Sequence, residues 1–440
     1  MPRDQHGLEV TAASDAAARA FDAAVLAYVK FRVDATDRTK QALALDPAMP
    51  LAHVLRGAFA MMAYKASFAP LALASAEAAA AGPTTAREAA HIKALRVWAE
   101  GDVFAATRVW SQILAAHPRD LMALRLHHFA AFWSGRPGEM AAQVEAAAPH
   151  FADDDPGYGA MLACRCFAHE ECGEHLRAEA YGREAVAIDQ ADIWATHAVA
   201  HIMEMQGRTR EGMAWIDGLA GNWDGVNNIR HHVFWHRALY SFEHGDFDAV
   251  LRLYDTQFRN LASPLTQAMP DLYVDVQNAA SALLRLELRG HDVGARWNEL
   301  ADLAESRVGD TLSAFTLPHW MMALAATGRT EAAQRMLAAV DAAGRGNTPH
   351  ARLLREVAAP VCRAVLAHRR GDHAEAVASM RPALGELPRL GGSHAQQDIL
   401  EQLFLDAARK APSPDDEAAI LQRVRARHGV PPERRRGYAA

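Results

Sequence analysis

The chain has 440 residues, half of them hydrophobic, which is ample material for a core and argues against disorder. Its 46 basic and 53 acidic residues are closely intermixed and leave a formal charge of -7, so nothing in the balance favours nucleic acid or an anionic membrane as partner. Four cysteines in a chain this long argue against a disulfide scaffold.

The sequence opens Met-Pro-Arg-Asp-Gln-His, without a basic region leading into an apolar stretch, so a cytoplasmic location is expected. Residues 1–100 read as helical but fit no clear period, and are expected to form an N-terminal cap. Apolar runs such as Phe59–Ala63 are far too short to span a bilayer.

From residue 101 to about 405 the punctuation becomes regular. Glycines closing apolar, three-and-four-spaced runs fall at Gly101, Gly135, Gly173, Gly207, Gly245, Gly290, Gly328 and Gly371. A glycine there supplies the left-handed helix cap at little cost. Their intervals cluster at and just above the period of about 34 residues that a tetratricopeptide helix pair requires. First helices are predicted near 120–134, 192–206, 229–244, 266–289 and 311–327. Second helices are predicted near 102–117, 136–147, 209–219, 246–258 and 329–343. The expected fold is therefore all-α, a right-handed α-solenoid of tetratricopeptide-like pairs, because a single pair cannot bury its own apolar face. Residues 406–440 read as a C-terminal helical tail whose prolines punctuate charged segments that should pack weakly.

Polar residues recur along the first helices. His197, His201 and Glu204 stand at i, i+4 and i+7 and share one stripe. His232 and His236 are four apart, beside His231, with Tyr240 continuing the line. Asp271, Asp275 and Asn278 repeat the spacing, His319 follows in the next repeat, and His127 with His128 precede in an earlier one. Near the end, Gly391-Gly392-Ser393 opens a helix that sets His394 above Asp398, with Ser393 as its N-cap. First helices of a tetratricopeptide array line its concave face, so these stripes should converge on one pocket formed mainly by residues 190–320 and closed by the segment near 394.

Two chemistries suit such a pocket. His201, His232 and His236 could bind a divalent metal. Alternatively His197, His201, His232, His236 and His394 could pair with Glu204, Asp275 or Asp398 for acid–base work. The residues leave both open, together with plain binding of a small-molecule ligand. A groove that grips a peptide is the alternative function, and a homodimer is compatible with either. Aromatic residues that could wall the pocket include Trp194, Trp235, Tyr240, Tyr273, Phe315 and Trp320, although helix packing explains such residues equally well. Cys164, Cys166 and Cys172 are not spaced as a zinc knuckle and read, with Cys362, as buried thiols. There is no His-Glu-x-x-His, P-loop, dinucleotide-binding or nucleophile-elbow pattern.

The stretches Trp194 to Arg208, His231 to Gly245 and Gly391 to Gln402, with Asp46-Pro47, Ala52-His53 and Arg56-Gly57, resemble the tetratricopeptide repeat protein 38 family. The resemblance implies a helical-repeat fold and no particular activity. By position it singles out His197, His201, Glu204, His232, Trp235, His236, Gly392, Ser393, His394 and Asp398. Val233-Phe234-Trp235 departs from the family's paired tryptophans.

Overall fold

All eight punctuating glycines adopt positive φ, from 68° to 96°. The computed structural model describes residues 2–439, and within them the chain turns at every one of these glycines. After three of them an aspartate takes over. Asp102, Asp246 and Asp372 each accept the N–H of the third residue of the next helix. Such a cap contributes about 1 kcal/mol to a helix start.

Helices Val103–Ala116, Leu121–Trp133, Pro137–Ala147, Ile193–Met205, Thr209–Leu219, Ile229–Glu243 and Thr330–Ala343 fall within a residue or two of the predicted ranges. Two predicted helices are shorter than expected. The run 266–289 divides into Pro264–Ala268 and Tyr273–Glu287, because Pro270 can neither donate a helical hydrogen bond nor leave Met269 helical. The run 311–327 begins only at Thr316, which keeps Pro318 in the first turn, where a missing N–H costs nothing. The segment 246–258 is α-helical to Leu253 and then widens into a π turn, Tyr254–Phe258.

The architecture is all-α among the described residues, with only two isolated β-bridges. Neighbouring helices pack as pairs, as in a helical repeat, and no helix is long and apolar enough to cross a membrane. The chain forms two compact units. The first comprises Met1–Val199 with Leu219–Ile229. In it Tyr158–Glu171 packs on His175–Ile188 and Ala86–Ala99 on Val103–Ala116, around a core that includes Trp98, Trp110 and Phe167. The second comprises Ala200–Gly218 with Arg230–Ala440. In it Tyr273–Glu287 packs on Thr316–Ala326 and on His394–Lys410, around Trp235, Phe258, Phe315 and Phe404.

The C-terminal tail does not pack weakly. Tyr438 and Arg435 are buried, at 1% and 7% exposure. Gly429 N–H donates to the Met205 carbonyl at 3.0 Å, and Arg289 donates to the carbonyls of Gly437 and Ala439 at 2.9 and 3.1 Å. The charged tail residues that suggested solvent exposure are spent on partners within the unit. Of the four thiols, Cys164, Cys166 and Cys362 are buried as expected, whereas Cys172 is exposed. Burial pushes Cys362 up to about 12, so it stays a neutral thiol.

Candidate functional site: a buried histidine cluster

The helix Ile193–Met205 carries His201 and Glu204 on one stripe, and Ile229–Glu243 carries His232 and His236 on another. The three histidines are 0–4% exposed. Each offers a ring nitrogen, and these atoms lie within 4.8 Å of one another. The His201 and His236 ring centroids are 4.3 Å apart, and those of His232 and His236 are 4.8 Å apart. Trp235 stacks on His232 at 5.2 Å with an interplanar angle of 16° and meets His236 edge-on. It walls the cluster, while the Tyr240 hydroxyl donates to the Ala200 carbonyl at 2.6 Å and serves packing.

Hydrogen bonds orient two of the rings. His232 Nδ1–H donates to Asn278 Oδ1 at 2.9 Å, and His236 Nδ1 shares a proton with Glu204 Oε2 at 2.9 Å. A ring held at Nδ1 by an oxygen presents the lone pair of Nε2, as metal-binding histidines do. Burial, with His232 and His394 nearby, holds His201 well below the usual imidazole range. Burial also brings His232 down to about 4, against the hydrogen bond to Asn278 and the charge of Asp275. Both rings are therefore neutral at pH 7, the form that coordinates metal. Burial pushes the Glu204 carboxyl up to about 8, with Arg435 and Arg285 opposing and Asp398 and Glu243 adding to the rise. A cation among the ring nitrogens would reverse that balance and leave Glu204 as the carboxylate orienting His236. The cluster is thus a buried set of histidines and a glutamate able to coordinate a divalent metal.

The other candidate residues are distributed more widely. One helix carries His197 and His201, but His197 belongs to the first unit, where its ring lies against Phe167 at 5.4 Å and Trp194 at 4.7 Å. Asp275 is buried with its Oδ2 3.0 Å from His231 Nδ1, a pair of its own. His394 is the first residue of His394–Lys410, close enough for its charge to lower His201. Ser393 caps that helix as predicted, in a reciprocal capping box with Gln396. Gly392, at φ +77°, brings the backbone so close to Phe315 that a Cβ would sit 2.8 Å from its ring, so the glycine pair serves a tight turn.

Asp398 faces guanidinium groups instead of a histidine: Arg435 at 2.9 Å and Arg285 at 3.4 Å, with the Tyr438 hydroxyl at 2.7 Å. Burial alone would raise this carboxyl, but Arg435 and Arg285, helped by His428 and Arg427, hold it far below the usual carboxylate range. Asp398 is a fixed anion, not a proton carrier. Sequence reasoning missed these arginines. Arg285 was within reach, since it continues the Asp275–Asn278 face seven residues beyond Asn278, whereas nothing local marks Arg435.

Elsewhere in the second unit, a cleft of about 720 Å³ is lined by Tyr254, Arg259, Arg296 and Glu299 among others. Its arginines are already matched, Arg259 by Glu299 and Arg296 by Asp255, both at 2.7 Å.

No protein-family model matches the chain.

If the cluster binds metal, Asn278 is its orienting partner. Asn278→Leu should then weaken metal affinity about 10–100-fold without abolishing it. Competition with a fluorescent chelator checks this, and affinity equal to wild type would remove Asn278 from the site.

Proposed function

We propose that this chain is a right-handed solenoid of tetratricopeptide-like pairs, related to the tetratricopeptide repeat protein 38 family, in which His201, His232 and His236 hold a divalent metal. Three imidazoles leave a coordination position for water or substrate, the arrangement used in metal-assisted hydrolysis. The observation that carries the reading is the pair of oriented rings, His232 on Asn278 and His236 on Glu204, in a cluster whose burial favours neutral imidazole. The Asn278 Nδ2 is buried without an acceptor among the described residues, which suits a small polar substrate carrying one. A peptide groove is the weaker reading. It calls for accessible cations and amides, whereas these side chains are buried.

The test is the metal content of untagged protein, as purified, by inductively coupled plasma mass spectrometry, alongside His201→Ala and His232→Ala. Near-stoichiometric metal in the wild type, lost at least tenfold in both variants, is expected. Metal-free wild type, never exposed to chelator, would overturn the reading. The His236–Glu204 pair would then stand as a metal-free acid–base couple, to be pursued by ligand screening.

A further inference from the structure

Six arginines are buried in the described chain: Arg87, Arg125, Arg259, Arg285, Arg307 and Arg435. Five have a carboxylate within 3.4 Å: Asp120 for Arg87, Glu299 for Arg259, Asp398 for Arg285 and Arg435, and Asp271 for Arg307. Arg125 is the exception. At 4% exposure it has no carboxylate at ion-pair distance among the described residues, and its Nε has no acceptor. Its sole hydrogen bond is a weak one from Nη1 to Cys164 Sγ at 3.8 Å. Asp192, whose charge reaches that thiol, is engaged by Ala195 N–H at 2.9 Å.

The surroundings are built in detail. The guanidinium carbon lies 4.5 Å from the Trp194 ring centroid and 4.7 Å from that of Phe31, and these two rings stack at 5.2 Å. Phe31 follows the helix Asp15–Val29 at φ +54°, where a glycine would be unstrained, and it is only partly buried. His128, 2% exposed and edge-on to Trp194 at 6.1 Å, has no hydrogen-bond partner at either ring nitrogen among the described residues. The buried Tyr28 hydroxyl, within reach of Arg125's charge, has none either. One unpaired cation, two unsatisfied neutral groups and two aromatic faces therefore share the interior of the first unit. Cation–π contact offsets only part of what a guanidinium loses on leaving water, because it satisfies none of the five N–H donors.

We propose that Arg125 is the anchor of a second ligand site, which takes a small monocarboxylate with an aromatic or other flat apolar body. The carboxylate supplies the counter-charge that the other buried arginines have and meets the guanidinium fork with two parallel bonds. Tyr28 and His128 complete its hydrogen bonds, and Phe31 with Trp194 flank the apolar body. A single negative charge matches a single cation, so a phosphate dianion would enter under-compensated. The site lies wholly in the first unit and is independent of the histidine cluster.

The test is a thermal-unfolding titration of the full chain with sodium benzoate, sodium acetate and inorganic phosphate, at constant ionic strength, on wild type, Arg125→Met and Arg125→Lys. A ligand that binds only the folded state raises the midpoint with concentration. Benzoate is expected to raise the wild-type midpoint progressively, acetate less, and phosphate not at all. Arg125→Met should weaken benzoate at least tenfold, and its midpoint without ligand should equal or exceed that of the wild type, since an unpaired buried charge is gone. Arg125→Lys, which keeps the charge but not the fork, should fall between. A wild-type midpoint indifferent to benzoate overturns the proposal, as does equal benzoate response in Arg125→Met. A response to phosphate alone overturns the carboxylate class. Should Arg125→Met not fold, Arg125→Lys and the wild-type series decide by the same criteria.

Discussion

Asp398→Ala is expected to lose about 3–5 kcal/mol of folding stability, the cost of removing one partner from a buried ion pair. The carboxylate is 2% exposed and serves Arg435, Arg285, Tyr438 and Gln402 at once. Its loss strands two buried guanidinium groups. Asp398→Asn keeps the shape and one acceptor but not the charge, and should lose most of the same amount. Arg435→Met should lose less, because Arg285 continues to compensate the anion. Urea denaturation at pH 7 reads all three. A loss below about 1 kcal/mol for the alanine variant would show that the tail is not held through this carboxylate. The pH dependence has a fixed sign. Arginine neighbours depress this carboxyl, so its stabilisation is complete above the ordinary value of 3.8 and is lost as the pH falls below it. The gap between wild type and Asp398→Asn should accordingly narrow only in strong acid.

The helix pairs were legible because they are written in local rules. The glycines at 101, 135, 173, 207, 245, 290, 328 and 371 sit where left-handed backbone is needed, and all eight adopt it. Capping aspartates at 102, 246 and 372 follow directly. What local rules misjudged was punctuation inside an apolar run. Pro270 and Pro318 set helix starts that the periodicity of the flanking leucines and alanines overrode.

The histidine cluster was legible for the same reason. Spacing of three and four puts His201 with Glu204, and His232 with His236, on single helix faces, and packing then brings those faces together. The partner of each carboxylate was not legible, since it depends on rotations and offsets between helices that no spacing records. Glu204 meets His236, Asp275 meets His231, and Asp398 meets Arg435 from thirty-seven residues downstream. Arg125 escaped notice because an isolated arginine in an apolar helix has the sequence signature of an ordinary surface residue. Only its burial without a carboxylate distinguishes it from the five paired arginines.

A second large effect is expected in mild acid. His127 and His128 are 1% and 2% exposed, and neither ring nitrogen of either has a hydrogen-bond partner among the described residues. Burial, with Arg136 adding, brings His127 down to about 4, while burial, Arg125 and His127 hold His128 well below the usual imidazole range. The unfolded chain takes up protons at these rings as pH falls through 6.5, and the folded chain does not. Stability should therefore drop between pH 6.5 and 4, by about 3 kcal/mol from His127 alone and by more with His128. Urea midpoints measured every half unit across that range check this in wild type, His127→Leu and His128→Leu. Each variant should flatten the profile, and a slope unchanged in both would clear the two histidines. The window also separates this effect from that of the depressed carboxylates. Asp120, held far down by His91 and Arg87 against the rise that burial alone would cause, stops contributing only below 3.8. Instability that sets in near pH 6 thus belongs to buried neutral histidine, and instability confined to strong acid belongs to the arginine-bound aspartates.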